Sequence, residues 1–377
     1  LNITRQIWPD LSGFLAHSQP DHPVLFAAPE AVQSRAQRFI SGFDGLVTYA
    51  VKANPSPLVL SNLVAAGVRA FDVASPDEMV LVRDLMPDAV LHYNNPVRGR
   101  REIAEGVRLG VASWSVDSRS ELEKLAGRVP AGAEIAVRFK LPVQGAAYDF
   151  GAKFGATEAD AITLLQEVAA LGMTPALTFH PGTQCTDPVA WRSYIAAAAR
   201  IAEGAGVRIA RLNVGGGFPA GRTGNEPPLE LFFAMIHEAT AHAFGAGRPA
   251  LVCEPGRGMV GDAFALAVRV KAIRDDAHVF LNDGIYGALA EFPLIGLPAA
   301  PRALSPAGTP RTGRAVSRTV FGPTCDSLDR LPGTVSLPAD LQEDDYLVFP
   351  AMGAYSSATA TRFNGYGALE TVTVLTL

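Results

Sequence analysis

Cysteine is scarce in this chain. The 377 residues hold three, Cys185, Cys253 and Cys325, far apart and odd in number. That excludes a disulfide framework and any paired-cysteine metal motif, and it suits a reducing cytoplasm. No metal site is expected. An excess of positive charge is missing too. Lysine and arginine total 32 against 37 acidic residues, a net charge of −5 with no basic block. A nucleic-acid surface is therefore not expected. No uncharged apolar run approaches the length of a membrane span. Leu1–Asp10 carries Arg5 and Pro9 and lacks the apolar centre of an export signal. What is present is a chain 48% hydrophobic and 18% charged. That is enough for a sizeable core and, at this length, for two domains.

A rhythm begins at Val24. Short apolar runs appear at Val24–Ala28, Leu46–Val51, Arg69–Ala74, Ala89–Tyr93, Ala112–Val116, Glu134–Phe139, Ala176–His180, Arg211–Val214 and Ala250–Glu254. Amphipathic stretches lie between them, at Ser56–Ala66, Pro76–Leu85, Arg101–Leu109, Ser118–Leu125, Glu158–Leu171, Pro188–Glu203 and Leu229–Phe244. Pro76 and Pro188 suit first helical turns, and Gly67, Gly110, Gly172 and Gly206 suit helix ends. Strands alternating with helices predict parallel βα units. Setting the first run aside leaves eight strands, the number that closes a (β/α)8 TIM barrel. The pattern changes near residue 262. Ala263–Ile273, Val279–Asn282, Thr319–Phe321, Tyr346–Phe349 and Leu369–Leu377 read as strands with few helices, which predicts a mostly antiparallel β domain. The expected division is a barrel over 23–262 and a β domain from 1–22 with 263–377. Residues 1 to 22 carry weak strand signals. Leu141–Lys153 and Pro298–Ser317 read as long loops, either lids or solvated connections.

In a βα barrel the functional groups collect at the C-terminal ends of the strands. Here those ends read Lys52, Asp72, Asn94-Asn95, Asp117, Arg138, His180, Gly215-Gly216-Gly217 and Glu254. Lys52 closes an apolar run. Burial there would lower its pKa and make it a carbonyl nucleophile that forms a Schiff base. The alternative is a lysine that snorkels out of a strand end. Gly215-Gly216-Gly217 offers backbone N–H groups to an anion, or is a plain tight turn. Gly256 and Arg257 could serve the same anion. Glu254 could hold a pyridinium nitrogen, or pair with Arg138 or Arg257. His180 could stack on a flat ring or be structural. Asp283–Gly287, Cys325–Asp329 and Met352–Tyr355 put polar groups on turns that could be turns only.

Taken in order from Tyr49-Ala50-Val51-Lys52-Ala53-Asn54 to Phe363-Asn364-Gly365, these motifs resemble the fold-type III decarboxylases that use pyridoxal 5′-phosphate. This is the group of ornithine and diaminopimelate decarboxylases, whose barrel is of the alanine racemase type. Cys325-Asp326-Ser327-Leu328-Asp329 resembles the ornithine/lysine branch. The resemblance implies that Lys52 carries the cofactor, with Asp72 and Glu78 supporting its surroundings and Arg138 nearby. It implies that His180 stacks on the ring and Glu254 meets its nitrogen. Thr183, Gly215, Gly216, Gly217, Gly256, Arg257 and Tyr355 would hold the phosphate. Cys325 would protonate the product, and Asp326 would bind the substrate tail across a homodimer interface. Tyr286 and Glu291 are further substrate-binding candidates. The implied activity is decarboxylation of L-ornithine or L-lysine to a diamine, in polyamine biosynthesis (putrescine from ornithine). One departure stands out. The family's distal-amine aspartate is replaced by Leu294-Ile295, with Glu291 close by. The rivals are a racemase, a decarboxylase of another amino acid or of a carboxylated polyamine or siderophore precursor, and a non-catalytic regulatory homologue.

Overall fold

The computed structural model describes residues 7–141, 147 and 151–377. The chain divides into two compact units. One is built from residues 35–219 and 227–259, the other from 1–34, 220–226 and 260–377.

In chain order the strands are β1 (Trp8–Asp10), β2 (Val24–Ala27), β3 (Leu46–Ala50), β4 (Ala70–Val73), β5 (Val90–Tyr93), β6 (Val111–Val116), β7 (Glu134–Arg138), β8 (Thr174–Thr178), β9 (Arg211–Asn213) and β10 (Ala250–Cys253). Strands β3 to β10 close into a barrel in sequence order, every neighbour parallel. The strands are short and apolar because both of their faces are covered, as parallel sheets require. Helices fill the intervals, and their starts are written in the chain. Ser75 caps Pro76–Leu85 by accepting from the Glu78 N–H at 3.3 Å. Thr157 caps Glu158–Ala170 in the same way, accepting from Asp160 at 3.2 Å. Gly206 ends Val189–Ala205 in the left-handed region, φ 64°, where a Cβ is disfavoured. Phe39, Trp191, Phe218, Phe232 and Phe233 form an edge-to-face and tilted aromatic cluster with centroids 5.1–6.2 Å apart. It packs the helices Val189–Ala205 and Leu229–Phe244 together.

The other unit is a nine-stranded sheet that adds β11 (Phe264–Arg274), β12 (His278–Leu281), β13 (Arg302–Leu304), β14 (Ala315–Phe321), β15 (Val335–Pro338), β16 (Tyr346–Phe349) and β17 (Glu370–Thr376). The path runs β1-β17-β2-β11-β12-β14-β15, and β16 pairs with β11 and β13. Most pairs are antiparallel; β1–β17, β2–β17 and β12–β14 are parallel. Leu11, Phe14, Leu15, Val24, Phe26, Leu304, Tyr346, Val348, Val372 and Val374 make its core.

Three expectations need correction. The run at Val24, placed with the barrel domain 23–262, pairs as β2 with β11 and β17 instead. Residues 220–226 belong to the same unit. An apolar tetrapeptide before a helix looks the same whichever sheet it joins, so local pattern could not place it. The segment expected to carry only weak strand signals forms β1, which pairs with β17 as expected of the β domain, but it also holds a helix, Leu11–Ser18, capped by Asp10. Pro298–Ser317 is not simply a loop: β13 crosses it, and Arg311 pairs with the fully buried Asp345 at 2.8 Å. The stretch Leu141–Lys153 lies largely outside the described residues. Among the described residues no helix is long and apolar enough to cross a membrane, and no cluster of three His, Cys, Asp or Glu is disposed to hold a metal.

Candidate active site

The barrel strands end where the sequence turns polar. β3 stops at Ala50, and Val51–Ala53 forms one 3-10 turn that carries Lys52. The Lys52 side chain is 43% exposed, so the poorly solvated lysine expected from the apolar run is not what the fold builds. A 3-10 turn lifts the residue out of the strand, where a continued strand would have left it between neighbours. Its Nζ lies 3.9 Å from Oδ2 of Asp72, which is buried at the end of β4.

Two buried carboxylates share this end of the barrel. Glu254 follows β10, and its Oε1 accepts from Asn94 Nδ2 at 2.6 Å and from Asn213 Nδ2. Neither Arg138 nor Arg257 is its hydrogen-bond partner; two neutral amides are. Burial, with the Asp72 charge, pushes the Glu254 carboxyl up to about 8, against the pull of Lys52, Arg138 and Asn213. Asp72 is also raised by burial, while Lys52, Asn94 and Arg138 draw it back. Glu78 accepts from the Ala74 N–H at 2.7 Å, which folds the start of its helix, and burial lifts it to about 7. Burial lowers Arg138, with Glu254, Asp117 and Asp72 opposing. Its guanidinium lies 5.1 Å from the centroid of Phe154.

His180 accepts a hydrogen bond at Nδ1 from the Gly182 N–H, 3.0 Å, which leaves the proton of the neutral ring on Nε2. Burial and the charges of Lys52 and Arg138 hold its pKa well below the ordinary value. Gly215-Gly216-Gly217 runs beside it. A Cβ on Gly215 would stand 2.1 Å from the Phe179 carbonyl oxygen. One on Gly217, at φ 88°, would stand 2.3 Å from that of Gly182. Only glycine fits, so the backbone itself is the surface presented. Gly256 is confined less tightly, with a Cβ position 2.9 Å from that of Ala53. Thr183 and Arg257 are buried. Asp117 and Asn95 take loop duties: Asp117 accepts from Gly155 N–H at 3.0 Å and Asn95 from Val97 N–H at 3.3 Å.

The β unit holds the remaining candidates. Cys325 is exposed, and Oδ1 of Asn364 accepts from its N–H and its thiol at 3.1 and 3.3 Å. Tyr286 donates its hydroxyl to Asp326, which lowers the Asp326 carboxyl. Asp329 is the buried hub of this region. It accepts from Ile285 N–H, Thr324 N–H and the Thr324 hydroxyl, so it joins the Asp283–Gly287 and Cys325–Asp329 turns. Tyr355 is half-buried in a left-handed conformation, φ 64°. Glu291 precedes the short helix Phe292–Ile295 without a side-chain capping bond, and Leu294 within it is 65% exposed.

Sequence reasoning missed Asn213 and gave Asn94 no duty. The available signal was a polar residue inside the three-residue strand that precedes the glycines.

Residues 30–261 match the model of the pyridoxal-dependent decarboxylase family, pyridoxal binding domain. A chloroplastic ornithine decarboxylase of Nicotiana glutinosa is 34% identical over 343 residues, 87% of this chain and 78% of that protein. A lysine/ornithine decarboxylase of Selenomonas ruminantium is 32% identical over 336 residues, 86% and 82% of the two chains. The crystal structure of lysine decarboxylase from Selenomonas ruminantium superposes with a TM-score of 0.81 at 29% identity, covering 96% of this chain and 94% of that one.

The donor set fits pyridoxal 5′-phosphate. A primary amine suits its aldehyde, a side-chain-free glycine cradle its phosphate, a neutral imidazole its ring face, and a buried carboxylate its ring nitrogen. The fold, the match over most of the barrel and these groups agree: the chain belongs to the pyridoxal-dependent decarboxylases, in the ornithine- and lysine-decarboxylase-like branch, with pyridoxal 5′-phosphate as its cofactor.

Proposed function

We propose that this decarboxylase acts on a small basic amino acid, L-ornithine or L-lysine, and releases the corresponding diamine. The observation that carries the reading is the convergence at the barrel's strand ends of one amine, Lys52, and two buried carboxylates, Asp72 and Glu254. The relatives named above are ornithine and lysine decarboxylases, which supports the substrate class. When bound, the cofactor supplies an electron sink for the pair left behind as carbon dioxide departs.

The chain's own residues do the rest. Lys52 would hold the cofactor covalently, with Asp72 balancing its charge. Gly215, Gly216, Gly217, Gly256 and Arg257, with Thr183, would hold the phosphate. Neutral His180 would cover the ring face without competing for its proton. Glu254 keeps the ring nitrogen protonated. Cys325 returns a proton to the product, and Asn364 keeps that proton directed. Asp326, oriented by Tyr286, takes the distal ammonium. Exposed Cys325 and half-buried Asp326 share a stretch of chain with exposed Leu328 (68%), and Phe363 is exposed too (43%), which suits a homodimer whose partner completes each site. Three free cysteines suit a cytoplasmic enzyme.

Glu291-Phe292-Pro293-Leu294-Ile295 favours a second reading, a larger or less basic substrate. A charged tail left unpaired in a closed site is unfavourable by several kcal/mol. The non-catalytic reading is disfavoured by the joint presence of Lys52, His180, Glu254, Cys325 and Asp326. The deciding experiment is carbon dioxide release by the cofactor-loaded protein with L-ornithine, L-lysine, L-arginine, meso-diaminopimelate, carboxynorspermidine and apolar amino acids. Preference for ornithine or lysine is expected. Turnover confined to the others overturns the substrate, and none with any of them overturns the function.

A further inference from the structure

Glu254 is buried beside a second carboxylate, yet none of its hydrogen bonds comes from a cation. Both amides that reach it, Asn94 and Asn213, donate to the same oxygen, Oε1. Among the described residues Oε2 accepts no hydrogen bond. The charged groups around it are Asp72, Lys52 and Arg138.

The orientation of each amide is set by its other contacts. Asn213 accepts the Gly215 N–H at Oδ1, 2.9 Å, so its NH2 must face Glu254. Glu254 in turn donates its backbone N–H to the Gly215 carbonyl at 2.9 Å. Asn213, Gly215 and Glu254 thus close a ring of three hydrogen bonds that links the glycine cradle to the carboxylate. Asn94 also neighbours Asp72, whose carboxyl its side chain and backbone draw down against burial. Its Oδ1 is buried with no hydrogen-bond partner among the described residues. An acceptor left bare while the NH2 is spent on Glu254 is costly, so it marks a device rather than an accident of packing. The loop is pinned from below, where buried Arg98 donates to the Tyr93 carbonyl at 3.2 Å and to that of Ser115.

We infer that Asn94 and Asn213 are positioning residues that decide which side of the Glu254–ring-nitrogen hydrogen bond holds the proton. Two N–H donors on Oε1 favour the carboxylate form, and they would leave Oε2 for the ring nitrogen. With them, the proton rests on the ring, which is then the stronger electron sink. Without them, Glu254 becomes the more basic partner and takes the proton. Asn94 also separates the two carboxylates, so that Asp72 serves Lys52 while Glu254 serves the ring. The inference rests on the role proposed above for Glu254.

The test uses full-length holoenzyme loaded with pyridoxal 5′-phosphate labelled with 15N in the ring. The ring-nitrogen resonance separates protonated from neutral pyridine. Glu254→Gln supplies the neutral reference. Asn94→Leu and Asn213→Leu are each expected to move the resonance more than half of the way from wild type to that reference. Asn95→Ala, which removes a neighbouring loop amide, is expected to leave it in place. Where a leucine variant does not fold, the alanine variant at that position carries the same expectation. A resonance that stays at the wild-type value in the variants at both positions overturns the proposal. Coincidence of wild type with Glu254→Gln would remove the role of Glu254 itself, and the proposal with it.

Discussion

Each unit buries a carboxylate, and the two are treated in opposite ways. Asp345 of the β unit is fully buried, and Arg311 clamps it in a bidentate pair at 2.8 and 2.9 Å. The Gln342 N–H adds a third bond at 2.7 Å. That carboxylate is complete: opposite charge and donors satisfy it. Glu254 of the barrel is nearly as buried, but it receives two neutral amides on one oxygen and no cation directly. A carboxylate finished by its own chain is structural. Glu254 is left unfinished on one oxygen, and burial beside Asp72 raises its proton affinity.

The contrast can be broken at several points. Lys52→Ala removes the amine that the unfinished site serves. Turnover should fall to background, at least about a thousand-fold, and borohydride should no longer fix the cofactor to the chain by mass spectrometry. Retained turnover would end the assignment of Lys52. Glu254→Gln keeps the shape and removes the charge, and kcat should drop roughly a hundred-fold or more with little loss of folding. Arg311→Ala does the converse. It strands Asp345 and should lower unfolding stability by about 3 kcal/mol, or roughly a hundred-fold in the folded ratio, while activity per folded molecule holds. Chemical denaturation with parallel steady-state assays tests both halves. Equal damage to activity and stability in either variant would erase the distinction.

Asp326→Ala probes a half-buried carboxylate held low by Tyr286. The KM for ornithine or lysine should rise about ten-fold or more, with a smaller change for apolar amino acids. An unchanged KM would shift the distal-amine role to Glu291. The smallest effect is on pH dependence without cofactor. Glu254 titrates near 8 in the fold against an ordinary 4.5, so the folded chain binds the extra proton between those values. Stability should therefore fall as pH rises from 4.5 to 8. Glu78 and Asp72 act in the same direction. Glu254→Gln should flatten the slope without abolishing it. Thermal unfolding across that window reads the outcome, and a slope of the opposite sign would contradict the burial argument.

The chain by itself determined the barrel and the inventory of its strand ends. Parallel strands covered on both faces must be apolar, so the point where each run turns polar is visible locally. Lys52, Asp72, Arg138, His180, the glycines and Glu254 could all be read that way. The tertiary structure alone decided which sheet Val24–Ala27 joins, because an apolar strand pairs with whatever edge the fold offers. It decided that Lys52 rides on a 3-10 turn and is substantially exposed. It decided that Glu254 meets Asn94 and Asn213 rather than arginine, since those partners lie 160 and 41 residues away along the chain. A residue's type and its place on a strand are local facts. The partner that sets its proton affinity is brought by the closure of the barrel, and no spacing in the sequence records it.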